Sequence, residues 1–297
     1  MDTRQLVTFR TVARTLHFTR AAEALGYVQS SVTAQVQGLE RELGAQLFDR
    51  LGKQVRLTAA GERLLRYADQ ILRLVDEARV AVAEGDAPAG ILTIGAPETL
   101  CAYRLPPVIA AFRAAYPRVR LIFRPGISSQ LRRDVLDGRL DLAFLLDQQA
   151  PTHQLHHEAL LAEPLLMLAP AQHPLAGRST LKLHDIQDET IMLTEAGGSY
   201  RMLLEAALAA AHLRPITLEF ASVEALKQCV IASLGIALLP QMAVVAELRD
   251  GLLRALPLSP VTQPLATQIV WHRERWQPLA LQAFIATSRA VLGAPEE

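Results

Sequence analysis

Apolar residues recur at helical spacing through residue 82 and then give way to short continuous runs alternating with helical stretches. Leu6, Phe9, Ala13 and Leu16 share one face of a helix predicted over residues 3–16. Ala21, Ala22 and Leu25 form the buried side of a short second helix, with Thr19 as its predicted N-cap. Gly26 closes that helix, because glycine takes the left-handed conformation that ends one. Val32, Val36 and Leu39 repeat at i, i+4, i+7 on a third helix. Val28 stands where Ser or Asp usually caps, so either Ser30 caps this helix or its first turn frays. Helix continues to Leu47 with a break at Gly44, and residues 48–58 read as a β-hairpin with Gly52 at its tip. From Thr58 to Glu84 a long helix carries Leu64, Ala68, Ile71, Val75, Ala78 and Val82 at alternating steps of four and three, widened by Leu65 and Leu72. That is an a/d seam, and a lone helix cannot bury it. A second copy of the chain is the expected cover; packing onto its own chain is the alternative.

Residues 85–90 read as a linker. Beyond it, strands are predicted at 91–96, 119–124 and 140–146, with helices at 103–116, broken by Pro106-Pro107, and at 129–137. A second set follows, with strands at 165–169, 190–193, 216–220 and 236–239 and helices at 198–212 and 223–234. The chain ends with a strand at 266–272 and a helix at 278–292. Repeated βαβ units with continuous apolar strands imply parallel-rich sheets covered by helices. Two lobes of similar plan imply a cleft, with ligands outside the carboxyl ends of the strands.

A chain of 297 residues, 51% hydrophobic, holds two or three folded domains. The net charge is zero, but residues 1–66 carry ten Lys/Arg against six Asp/Glu, so the basic excess sits with the first helices. DNA phosphates would use that excess. Gln29, Ser30, Ser31, Thr33, Ala34, Gln35 and Gln37 on the third helix are small or uncharged hydrogen-bonding residues suited to base edges. The reading is a helix-turn-helix in a major groove. Arg20, Arg50, Lys53 and Arg56 are the expected phosphate contacts. No run of about 18 apolar residues and no leader pattern occurs, so a cytoplasmic protein is expected.

Phe18-Thr-Arg-Ala-Ala-Glu-Ala-Leu, Gln29-Ser-Ser-Val-Thr-Ala-Gln-Val, Leu39-Glu40, Leu43-Gly44, Gln46-Leu47-Phe48 with Arg50, and Leu57-Thr58 with Gly61 resemble the LysR-type transcriptional regulators. Residues 136–143 and 235–240 extend the resemblance over essentially the whole chain. It implies an α+β multidomain fold: a winged helix-turn-helix over 1–58, a linker and dimerisation helix over 59–86, and a two-lobed α/β effector domain over 91–297 resembling periplasmic binding proteins. Lobe 1 would hold about 91–163 and 267–297, and lobe 2 about 164–266, so the last strand and helix return to the first lobe. It further implies a dimer or tetramer on double-stranded promoter DNA, a small-molecule effector, RNA polymerase as a further partner, no cofactor and no enzymatic activity. One departure is that no Lys or Arg falls between Arg20 and Arg41, where many relatives have a basic residue at the positions of Ala34 or Gln37.

The resemblance places effector contacts on loops that follow strands. Here that gives Glu98, Thr99, Leu100, Cys101, Ser128, Ser129, Asp147, Thr194, Ser199, Val223 and Glu224. Thr99, Ser128, Ser129 and Ser199 stand where helices begin, which suits a carboxylate. Glu98, Glu195 and Glu224 in the same region equally suit a cationic or hydroxylated ligand, so the effector's charge stays open. His153, His156 and His157 read as a solvated or interlobe group rather than a metal site. Cys101 and Cys229 are far apart and have no basic neighbour pair, which disfavours a redox pair. A solute-binding protein or an enzyme with an added helical module is the competing class, but no nucleophile–base set supports the enzyme.

Overall fold

The first helix is set by its cap. Asp2 accepts the Gln5 N–H at 2.7 Å while the Gln5 side chain accepts the Asp2 N–H at 2.9 Å, and α1 (Thr3–Thr15) follows. In the computed structural model, described for residues 1–51, 54–83, 87–148, 153–258 and 265–293, the chain divides into two units. They are Met1–Asp86 with Asp137–Arg139, and Ala87–Leu136 with Leu140–Glu297.

In the first unit α2 (Phe18–Leu25) is capped by His17, whose ring accepts the Arg20 N–H, rather than by Thr19. Thr19 is one residue inside the helix and donates to Gln29 Oε1 at 3.1 Å, tying α2 to the start of α3 (Gln29–Leu43). Gly26 has φ 67° and Gly44 φ 63°, the left-handed closures expected of them. α3 begins behind Val28 with no side-chain cap, so Ser30 does not cap it. β1 (Phe48–Leu51) and β2 (Gln54–Leu57) pair antiparallel as the wing; the tip at Gly52 and Lys53 lies outside the described residues. The buried Glu40 carboxylate accepts the N–H groups of Leu47 and Phe48 at 2.8 and 3.3 Å, holding the chain as it turns into the wing.

α4 (Ala59–Ala83) corrects the seam read from sequence. Ala68 and Leu72 are buried in this unit's own core with Phe9, Val36 and Phe48, and Leu64, Leu65 and Ile71 pack beside them. Tyr67, Leu74 and Val82 are 62%, 55% and 90% exposed, and Ala78 is exposed on the same side. At 100° per residue these two stripes lie roughly a quarter-turn apart. The a/d spacing had merged two faces: one covered by the chain itself, one open.

Gly61 in the first turn of α4 leaves no room for a side chain: an added Cβ would stand 2.2 Å from the Leu47 carbonyl oxygen. Gly61→Ala is therefore expected to destabilise this unit by about 2–3 kcal/mol. Urea unfolding of full-length wild type and variant measures it, and an unchanged midpoint contradicts the contact.

In the second unit, β3 (Gly90–Ala96), β4 (Val119–Pro125), β5 (Leu142–Asp147), β6 (Leu155–Glu163) and, from the end of the chain, β12 (Leu265–His272) form one sheet, ordered β4-β3-β5-β12-β6. β7 (Leu165–Pro170), β8 (Ile191–Leu193), β9 (Thr217–Glu219), β10 (Ile236–Pro240) and β11 (Leu253–Ala255) form the other, ordered β11-β7-β10-β8-β9. Neither is parallel-rich. β3 runs parallel to β4 and β5, but β12 is antiparallel to β5 and β6. β8 is parallel to β9 and β10, while β7 is antiparallel to β10 and β11. Each sheet thus mixes a βαβ half with strands that carry the chain between the two sheets.

The helix predicted at 103–116 is α6 (Leu105–Ala115), and a short helix, α5 (Glu98–Tyr103), precedes it across Arg104. Pro106 and Pro107 fit the first turn of α6, where no intrahelical N–H is needed. α7 (Ser128–Leu136), α8 (Ser199–Ala210), α9 (Val223–Ile231), α10 (Val245–Arg249) and α11 (Leu279–Leu292) complete the order. β5 is the central strand of its sheet, and Leu142–Leu146 are all buried.

Candidate functional site

Two places gather the predicted residues: the outer face of α3 and the mouth between the two sheets. On α3, Gln29, Ser30, Ser31, Ala34 and Gln37 are exposed, and Thr33 is half-buried on the flank. Gln35 points inward instead. Its Oε1 accepts from the buried Thr8 hydroxyl at 2.7 Å, so the amide is not open for a bidentate contact with adenine. Arg41 is exposed one turn beyond Gln37, and its Nε donates to the Gln37 carbonyl at 3.3 Å. It lies within α3, so the helix carries a positive charge that the gap between Arg20 and Arg41 had seemed to deny it. The spacing 30, 34, 37, 41 was the available signal. Arg20 on α2 and Arg56 on β2 are exposed; the Arg50 side chain and all of Lys53 lie outside the described residues.

At the mouth between the sheets, helices start with hydroxyls that meet across it. Ser128 Oγ stands 3.3 Å from Ser199 Oγ, and Thr99 Oγ1 stands 3.4 Å from the Tyr200 phenol. Pro97, Thr99 and Ser128 face Glu195, Gly198 and Tyr200 around a cavity of about 20 Å³. A second cavity of about 300 Å³ adjoins it through Ser128 and Ser199 and reaches Ser129, Asp147, Met202 and Leu265. Asp147 is held by Arg132 Nη2 at 2.7 Å.

Burial pushes the Tyr200 phenol up to about 12, with the Thr99 and Thr194 hydroxyls opposing. Tyr200 is therefore a neutral phenol near pH 7. Burial, then Glu195 and Glu224, raise Glu98 above the usual carboxylate range. Burial and Glu98 push the Cys101 thiol up, and its Sγ lies 3.8 Å from the Ala96 carbonyl. That is the reverse of what a reactive thiol needs.

Of the expected contacts, Glu98, Leu100, Cys101, Thr194, Val223 and Glu224 line neither cavity. Leu100 and Val223 are buried in the apolar core, because each helix turns that residue toward its sheet. Glu224 is held by Lys227 Nζ at 2.8 Å; hydrogen bonds from Lys227 and Gln228 lower its pKa. Burial pulls Lys227 down, but Glu224 and Glu247, the latter at 2.6 Å, outweigh it and hold the ammonium above its ordinary range. Tyr200 and Arg132 were missed: neither directly follows a strand, and they enter the cleft one residue after Ser199 and about one turn after Ser129. His156 lies on β6 and stacks on Trp271 with centroids 5.2 Å apart, so it plays no interlobe part.

Residues 3–62 match the model of the bacterial regulatory helix-turn-helix protein, lysR family, and residues 85–293 match that of the LysR substrate binding domain. The chain is 43% identical to the HTH-type transcriptional regulator YwqM of Bacillus subtilis, covering 97% of this chain and 99% of that one. It is 34% identical to GltR of the same organism, covering 97% and 96%. Among solved structures it is similar to a full-length OxyR variant from Pseudomonas aeruginosa, at 25% identity and a TM-score of 0.76, covering 100% and 99%. Full-length CbnR in complex with its target DNA shares the fold at 22% identity and a TM-score of 0.70, covering 98% and 100%.

Proposed function

The chain belongs to the LysR family of HTH-type transcriptional regulators, which bind promoter DNA and small-molecule effectors and oligomerise, and from that premise we propose how its own residues divide the work. It is a transcriptional regulator rather than an enzyme. α3 enters a major groove with Ser30, Thr33, Ala34, Gln37 and Arg41 toward the bases, while Arg20, Arg50, Lys53 and Arg56 grip phosphates. Two copies joined through the open face of α4 place two such helices roughly 34 Å apart on an interrupted palindrome. Pairs of dimers make a tetramer. The effector binds in the cleft lined by Thr99, Ser128, Ser129, Ser199 and Tyr200, within residues 91–297, while residues 1–58 and 59–86 serve DNA binding and dimerisation. Its differential affinity for two lobe arrangements shifts the DNA-bound state and the access of RNA polymerase. The protein works in the cytoplasm.

The exposed stripe Ser30–Ala34–Gln37–Arg41 is the observation that carries the DNA reading. A gel shift on the DNA upstream of its own gene tests it. Gln37→Ala and Arg41→Ala are each expected to lose about 1–3 kcal/mol on the operator, with Gln37→Ala scarcely changed on random DNA. Gln35→Ala, which strips Thr8 of its partner, should instead lower thermal stability. Equal operator binding by wild type, Gln37→Ala and Arg41→Ala would remove α3 as the reader.

A further inference from the structure

The charge of the cleft does not match a simple anion. The two adjoining cavities are lined by two carboxylates, Glu195 and Asp147, and one guanidinium, Arg132, which Asp147 already holds. Glu98 stands close enough to feel both Glu195 and Glu224, and Lys227 opposes them least. Lys227 is itself engaged by Glu224 and Glu247. One wall of the mouth is therefore acidic: Glu195 lines it from one lobe, and Glu98, between the lining residues Pro97 and Thr99, stands at its rim from the other.

The other wall is different in kind. α7 and α8 both begin there, with their first hydroxyls 3.3 Å apart. First-turn N–H groups have no intrahelical partner, and Gly198 offers α8 no side-chain cap. Behind Gly198 lies Thr194, 2% exposed, whose hydroxyl faces the Tyr200 phenol without closing a hydrogen bond to it. It stands 3.2 Å from where a side chain on Gly198 would begin, and Gly198 lines the cleft. A buried hydroxyl without a partner is costly, and a bound polar ligand supplies one.

We propose that the effector is a zwitterion of amino-acid size, its carboxylate at the paired N-termini of α7 and α8 and its ammonium facing Glu195 and Glu98. This rests on the reading of the cleft as the effector site. A carboxylate alone leaves the acidic wall unmatched, and an amine alone leaves the two helix ends unmatched. The cavity of about 300 Å³ beside Met202, Leu203 and Leu265 then receives the side chain. That volume is at the small end of ligand pockets, which sets the size class.

The test uses the full-length protein, with calorimetry and thermal shift against the proteinogenic L-amino acids. Each is matched with its deaminated carboxylic acid and its decarboxylated amine. At least one amino acid should bind, with its acid and its amine each weaker by about tenfold or more. Glu195→Gln should remove the discrimination against the acid and keep that against the amine. A deaminated acid that binds as well as its amino acid, or no binding by any amino acid, overturns the proposal. Ser199→Trp, which fills the cleft, separates the two readings, with operator binding as the check on folding. If only simple acids bind wild type and Ser199→Trp abolishes it, the cleft stands and the zwitterion falls. If an amino acid binds Ser199→Trp unchanged, the cleft reading falls and takes the proposal with it.

Discussion

Leu74→Glu should convert the chain to monomers and weaken operator binding by roughly a hundredfold to ten-thousandfold, with the fold of the monomer intact. Leu74 is 55% exposed on the same stripe of α4 as Tyr67, Ala78 and Val82. Long apolar side chains seven and eight residues apart on one helix are the pattern of a helix–helix seam, and a carboxylate there faces an apolar partner without a counter-charge. The loss is large because a dimer binds two half-sites together. Once it is split, the second contact no longer benefits from the high effective concentration set by the first. Sedimentation and gel shift on the same samples measure both effects. Glu62→Gln, exposed on the far side of α4 from this stripe, is the control. If Leu74→Glu sediments as wild type, the open face is not the seam.

The stripe also shows where sequence reading stops. Helical periodicity placed α1, α2, α4 and the start of α3 to within a residue or two, because each has one buried side and a punctuating residue, but it carried α3 on to Leu47, whereas the left-handed Gly44 ends that helix at Leu43. For α4 the same rule merged two faces, since spacing alone does not say which partner covers a residue. Leu72 belongs to its own chain's core and Leu74 to the open side, two residues apart.

The cleft was legible in part. Strand ends named the loops, and Ser128 and Ser199 do face each other. Yet the rule does not say which way a side chain turns, so Thr99 is in the cleft while its neighbour Leu100 is in the core. The engagement of Glu224 was in reach, because Lys227 stands three residues on, where helical side chains meet. β6 was harder. Its sequence, Leu-His-His-Glu-Ala-Leu-Leu-Ala-Glu, has no clean alternation because it is an edge strand, mostly half-buried along its length.

The buried ion pair at the end of that strand carries the second large effect. Glu163 closes β6, is wholly buried, and accepts from Arg104 Nε and Nη2, both at 2.9 Å. The Thr267 hydroxyl donates to it at 2.6 Å from β12 beside the register shift at Thr267/Gln268. One carboxylate thus joins the break between α5 and α6 to both strands that connect the lobes. Removing it takes two charge-assisted hydrogen bonds from the Arg104 guanidinium, 19% exposed, and the acceptor from the buried Thr267 hydroxyl. Glu163→Ala should therefore cost about 3–5 kcal/mol. At roughly 2–4 °C per kcal/mol for a domain of this size, the melting temperature should fall by about 10 °C. Glu163→Gln keeps an oxygen for Thr267 but sets an amide N–H₂ against Arg104, and should fall between wild type and Ala. Arg104→Met with Glu163→Met removes both charges while keeping volume, and should recover most of the loss, because desolvating the two ions offsets much of their attraction. Scanning calorimetry of the variants decides it. If the double variant melts no higher than Glu163→Ala, packing around Glu163 rather than the lost ion pair sets the cost.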